Sequence, residues 1–256
     1  MSWLHAVIDV RPGDAAAVTF WEQALGWPLG PSWPAHPELS SFEPPDGDAY
    51  VHRQHVDGPA RVHIDVEVED PAAERDRLAA LGAQVLGAQD RWQAMASPGG
   101  LPFCLLGARD HRPPGPVSWP DGHRSRLVQV CVDAPVEAHE PEVEFWRAAL
   151  RGSWSDLDAP EFAGKFHDDE GSPVQLLFQR LEERVGPVRA HLDLGTDDLD
   201  AEASRLRALG AELIGPGRGW VALRDPAGVA FCATRNSPEQ TLTRDIGRRA
   251  RTHADR

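Results

Sequence analysis

A shift of 128 positions lays the middle of this chain onto itself. Gly58-Pro59 falls on Gly186-Pro187, His63 on His191, Asp65 on Asp193, Trp92 on Trp220 and Phe103-Cys104 on Phe231-Cys232, with no gap from Gly58 to Leu106. Further upstream the shift is slightly smaller, so that "FWEQALGW" from Phe20 matches "FWRAALRGSW" from Phe145. Such a repeat is a tandem duplication, and it limits the fold to two copies of one domain. The 256 residues suffice for both. Domain 1 is expected over 1–109 and domain 2 over 124–236. Between them lies "DHRPPGPVSWPDGH", a linker over 110–123 whose prolines withhold backbone donors and so discourage ladder and helix alike. The polar, arginine-rich tail, 237–256, has no apolar stripe to dock with and reads as frayed helix or disorder.

Within each domain the pattern repeats again. "LHAVIDV" alternates as a strand, and the apolar spacing of Val18, Trp21 and Leu25 predicts a helix over 14–25. "VHIDVEV" is a second strand before a second helix, with Asp70 as N-cap, Pro71 in the first turn and Gly82 just past the end. "AYVHRQHV" is a strand behind the first helix, and "AQVLG", "WQAMAS" and "PFCLLG" are strands behind the second. The unit reads β-α-β-β-β, four copies in all, an α+β chain. Phe20, Trp21, Phe145 and Trp146 fall at core positions of their helices.

Composition removes several classes of function. A formal charge of −14 disfavours nucleic acid, which needs a basic face. No apolar run approaches the ~20 residues of a membrane helix, so no membrane partner is expected. Three cysteines without a CxxC pair, and a start with no secretory pattern, point to a reducing, cytoplasmic setting. Lys165 is the only lysine; this reads as codon usage and carries no functional conclusion at this level.

The order and spacing of "FWEQALGW", "RVHIDVEVEDPAAERDRLAALGA" and "SPGGLPFCLL" or "RDPAGVAFCAT", each group occurring in both halves, resemble the vicinal oxygen chelate superfamily, the glyoxalase, bleomycin-resistance and extradiol-dioxygenase group. The resemblance covers nearly the whole chain outside linker and tail, and is strongest to small glyoxalase-like domain proteins. It implies two tandem glyoxalase-like domains of paired βαβββ modules, whose curved sheets enclose a cup. Such folds host lyases, dioxygenases, epimerases, thiol transferases and non-catalytic drug binders, so the fold does not fix the function. In metal-using relatives, strands offer ligands into the cup: histidines from the first strands of the modules and a glutamate from the last strand. Here His5 and His63 stand at the histidine positions of domain 1, and Cys104 stands where the glutamate would be. In domain 2 the same positions hold Gln129, His191 and Cys232.

A strand alternates faces, so His63, Asp65 and Glu67 share one face, as do His5, Val7 and Asp9, and as do His52 and Gln54. The expected function is the binding, sequestering or transformation of a small organic molecule in the cup of domain 1. His63 and Asp65 would be its acid–base residues. His5, His52, Gln54, Trp33, His36, Trp92, Cys104, His191 and Trp220 would line the pockets. Trp33 and His36 come from a loop, 27–42, long enough to cover a ligand. No metal or other cofactor is favoured. The alternative is a metal-dependent lyase or dioxygenase holding zinc or iron on His5, His63 and a third ligand, Cys104. The two domains are expected to pack on each other as an intramolecular pseudo-dimer, leaving the chain a monomer.

Overall fold

The computed structural model describes residues 3–88, 92–167 and 171–240. Domain 1 contains β1 (Leu4–Val10), α1 (Ala15–Leu25), β2 (Leu39–Ser41), β3 (Val51–His55), β4 (Arg61–Val68), α2 (Pro71–Ala80), β5 (Gln84–Ala88), β6 (Trp92–Ala96) and β7 (Pro102–Gly107). They form an open, curved sheet in the order β2-β3-β1-β4-β7-β6-β5. After β8 (Val117–Ser118), domain 2 adds β9 (Arg124–Ala134), α3 (Val136–Ala149), β10 (Ser153–Ala159), β11 (Phe162–His167) and β12 (Gln175–Arg180). It closes with β13 (Arg189–Thr196), α4 (Leu199–Ala208), β14 (Glu212–Pro216), β15 (Trp220–Arg224) and β16 (Ala230–Thr234). Its sheet runs β10-β11-β12-β9-β13-β16-β15-β14, and β8 adds to β9.

Two details depart from the sequence reading. The first module has two strands behind its helix instead of three. Prolines at 28, 31, 34 and 37 remove donors there, and only isolated bridges (Leu29 with Phe42, Trp33 with His36) form before β2. The linker also keeps a short ladder, Val117 and Ser118 opposite Ser125 and Arg124, directly after its last strand-blocking proline, Pro116. The expected cap of α2 is formed: the Asp70 carboxylate accepts from the N–H groups of Ala72 and Ala73, both at 3.0 Å, and Gly82 follows the helix with φ +105°. The tail begins tied down, since Arg126 Nε donates to Pro238 O at 2.8 Å. Its remainder, 241–256, lies outside the described residues.

Aromatic side chains of α1 and α3 reach across to the other half. Phe20 and Trp21 of α1 pack on Phe231 of domain 2, ring centroids 5.5 and 5.2 Å apart, and the Trp21 indole N–H donates to Asp225 Oδ2 at 2.8 Å. Phe145 and Trp146 of α3 pack on Phe103 of domain 1 at 6.2 and 5.2 Å. The last carbonyls of each of these helices are met by an arginine of the other half. Arg77 donates to Ala148 O and Ala149 O, at 2.9 and 2.6 Å; Arg205 donates to Gln23 O and Ala24 O, at 3.0 and 2.9 Å. Both answer the negative end of the helix dipole and satisfy orphan carbonyls. Leu4, Ala6, Ile8, Val62, Ile64, Phe103, Val130, Val132, Leu192 and Phe231 therefore join one continuous core. The alternate residues of the same strands are left to line the cups.

The two arginines are not equal. Each pairs with a glutamate three residues before it, but Glu202 is fully buried and the Arg205 guanidinium lies 3.5 Å over Trp119, whereas the Arg77 side chain is 37% exposed. Removing one member of a buried, hydrogen-bonded pair costs about 3–5 kcal/mol, against about 1 kcal/mol or less for an exposed one. Arg205→Ala should therefore lower the urea-unfolding free energy about threefold more than Arg77→Ala. Equal losses would show that the pseudo-symmetric contacts are energetically alike.

Candidate functional site

In both halves the cup face carries the same buried constellation. In domain 1, Asp9 Oδ1 of β1 lies 2.9 Å from His63 Nδ1, and Asp65 Oδ1 lies 3.4 Å from His63 Nε2. In domain 2, His191 Nδ1 lies 2.7 Å from Asp133 Oδ2 and its Nε2 lies 3.3 Å from Asp193 Oδ1. Cys104 and Cys232 adjoin these rings; Cys232 Sγ is 3.6 Å from His191 Nε2. Strand register explains the convergence. His63 sits opposite Val7 and Asp65 beside Cys104, just as His191 sits opposite Cys131 and Asp193 beside Cys232. Burial pushes the pKa of each histidine down, but the flanking carboxylates outweigh it and hold both well above the usual value. Each ring is thereby biased toward its protonated form between two aspartates. Burial pushes Cys104 up to about 11 and raises Cys131 and Cys232 too, so all three remain thiols.

Around this shared centre the two cups differ. In domain 1 the cup is filled by its own side chains. His5 Nδ1 lies 2.9 Å from His52 Nε2, and His5 Nε2 lies 3.1 Å from Glu67 Oε1. Burial and the charge of His5 push His52 down to about 3, so it is neutral. The linker then crosses the mouth: His111 Nε2 meets Glu67 Oε1 at 2.8 Å, Arg109 N–H donates to Glu67 Oε2 at 2.9 Å, and Trp3 stacks on His111 at 4.5 Å. From the other side Trp33 sets its edge on His52 at 5.4 Å, and His36 reaches Trp92 at 6.4 Å. His5, His52, His63 and Glu67 are each 5% exposed or less. The structure thus gathers His5, His52, His63, Asp65, Trp33, His36, Trp92 and Cys104 at one cup. Gln54 makes no hydrogen bond there among the described residues. An open ligand cup in domain 1, expected from the sequence, is not what the structure shows: a linker histidine and the 27–42 loop occupy the space.

The open cup is in domain 2. A cavity of about 600 Å³ has Gln129, Cys131, Asp133, His191, Asp193 and Cys232 on its floor. Leu157, Phe162, Leu177, Leu181 and Trp220 are among its apolar walls, with Phe162 and Trp220 edge to face at 5.9 Å. Lys165 of β11 reaches the same cavity. The plug is missing for a local reason. Glu67, which anchors His111 in domain 1, corresponds to Gly195, and His5 corresponds to Gln129, whose amide is held by Gln175 at 2.6 Å and bonded to Asp193.

Sequence reasoning missed Asp9, Asp133, Glu67, His111 and Lys165 as site residues. The signal for the first three was their shared face with His5, Gln129 and His63. His111 had no local signal.

Four groups among the described residues bring three potential metal donors within 4.8 Å of one another. At the family's ligand positions the donors do not fit iron of the dioxygenase kind, which takes two neutral imidazoles and a carboxylate. His63 and His191 are engaged by carboxylates at both nitrogens, and the closing cysteines are neutral. The set with the right composition is elsewhere in domain 1: His5, Glu67 and His111, with His52 bonded to His5 and Arg109 N–H to Glu67 as outer supports.

The model of a glyoxalase-like domain matches the chain twice, over residues 5–106 and 129–234. No curated protein matches its sequence. Among solved structures it is similar to a mutant 4-hydroxymandelate synthase from Streptomyces coelicolor, with TM-score 0.59 and 15% identity over 96% of this chain and 98% of that one. It is also similar to an extradiol ring-cleaving dioxygenase from B. fuscum (TM-score 0.60, 16% identity, 95% and 73% covered) and to BphC, a halotolerant catechol dioxygenase (TM-score 0.59, 13% identity, 90% and 85% covered). At these identities the structures share the fold alone. With both halves matched by the same model and the paired βαβββ architecture in place, the chain belongs to the glyoxalase-like domain family of the vicinal oxygen chelate superfamily.

Proposed function

We propose that this chain binds a small organic molecule with a flat apolar body and a polar head in the cup of domain 2. The observation that carries the reading is the cavity of about 600 Å³, with apolar walls, a charged floor, and Asp158, Arg189, Arg218 and Arg235 also on its lining, a size and polarity suited to such a ligand. Phe162 and Trp220 offer faces for an aromatic or unsaturated body. His191, as an imidazolium, donates a hydrogen bond or a proton to the head group, and Asp133 and Asp193 keep the ring oriented and charged. Sequestering and acid–base turnover both fit this floor.

A second reading, a divalent metal, is favoured by one observation: the His5–Glu67–His111 set has the two-histidine, one-carboxylate composition used for zinc and non-haem iron. His5 and Glu67 are each 4% exposed, and a catalytic metal keeps a coordination position open to substrate. A metal there would supply charge that ties the linker to β4.

Each reading has its own test. Indole and benzoate, screened by saturation-transfer NMR, should bind wild-type protein, weaken about tenfold in Trp220→Ala, and be unaffected in Trp33→Ala. The reverse pattern would return the site to domain 1. Zinc added to the chelator-treated protein should bind near one equivalent and be lost in His111→Ala but kept in His63→Ala; indifference to His111 would remove the second reading. The charge on His191 is checked directly. Its folded pKa is raised above the unfolded value of about 6.5, so its contribution to stability is complete below that value and lost as pH rises through the folded one. The ring should remain protonated by NMR at pH 8, and Asp133→Asn should move its titration downward. A neutral His191 ring in the wild type at pH 7 would exclude the imidazolium role.

A further inference from the structure

Building on the domain 2 cup reading, we propose that Lys165 captures a carbonyl compound there, its amine forming an imine with a bound aldehyde or ketone.

Register places Lys165 at the end of a row across four strands. Lys165 pairs with Leu177, Leu177 with Cys131 and Cys131 with His191. Adjacent strands stand about 4.8 Å apart, so on a curved sheet a lysine at one end of the row extends over its middle. The Asp193 carboxylate acts electrostatically on its amine. In domain 1 the corresponding place, opposite His52, is held by Ser41. The amine is therefore a feature of the open cup alone.

Three further observations point from position to chemistry. Lys165 has no hydrogen-bond or ion-pair partner among the described residues, while the other floor charges, Asp133, His191 and Asp193, hold one another. Lys165 is the only lysine of the chain, and the arginines cannot act as amine nucleophiles. Burial pushes the Lys165 pKa down, with the charge of Asp193 opposing, and so enlarges the neutral fraction that attacks a carbonyl.

The step balances within the site. The Lys165 nitrogen adds to the carbonyl carbon, and the carbonyl oxygen takes a proton, with His191 as the nearby acid. The resulting carbinolamine loses its hydroxyl as water, and the nitrogen gives up its remaining protons. The net change is carbonyl plus amine to imine plus water, with no oxidant or reductant. The apolar walls disfavour the reverse hydrolysis, and the cavity mouth lets water leave.

The test uses the full chain, benzaldehyde and sodium cyanoborohydride at pH 7, read by intact mass and peptide mapping, with benzaldehyde binding followed separately by saturation-transfer NMR. The expected result is one reduced adduct mapped to Lys165, counted separately from any on the N-terminal α-amine. It should form faster than on the same lysine in the urea-unfolded chain, where burial no longer lowers the pKa of the amine. The adduct should be absent in a Lys165→Arg variant with wild-type near-UV circular dichroism, and slower to form in His191→Asn. NMR binding with Lys165 labelled no faster than in urea would overturn the imine and leave the cup reading intact. Neither binding nor labelling would overturn both.

Discussion

The packing of α1 and α3 side chains against the opposite half is the constraint on which the rest of this molecule depends. Trp21 and Phe20 complete the interior of domain 2, and Phe145 and Trp146 complete that of domain 1. Each sheet therefore commits one face to a shared core. Strand alternation then leaves the opposite face, with every second residue, facing a cup. Arginines 77 and 205 fix the register of this packing by receiving the carbonyl ends of the helices. Because the core is common, the two cups can change independently without disturbing it.

They have changed by few residues. The Asp–His–Asp centre with its neighbouring cysteine is preserved in both halves, while its surroundings differ at the rim. Glu67 recruits His111 and so recruits the linker; Gly195 recruits nothing in the same way. The Glu67/Gly195 and His5/Gln129 differences, with the 27–42 loop, separate the filled cup from the open one. The duplication has produced one half whose polar face is satisfied internally and another whose polar face addresses a cavity.

Much of this was legible in the sequence. The repeat, the alternation that put His63 and Asp65 on one face, and the Asp70 cap are local or periodic properties, and they emerge in the structure where the residues imply. The core role of Trp21 was visible as helical spacing, but its partner, Asp225, was not, because nothing local links residues 204 positions apart. His111 was hidden for the same reason: its role follows from the path of the linker, itself pinned by Asp48 and Arg112 at 2.6 and 2.8 Å. The two cups differ in how much space their side chains leave. Counting histidines favoured domain 1, yet those histidines bond to one another and fill the space a ligand would need.

The packing across the halves also sets a schedule for synthesis. A ribosome making ~5–20 residues per second needs roughly 10–40 s to go from Trp21 to Asp225, its hydrogen-bond partner 204 positions on. For that interval the first helix presents two large aromatic rings with no native surface to receive them. The nascent first half is thus an adhesive intermediate, and any cell that produces this chain in quantity must shield that helix until the last strand emerges.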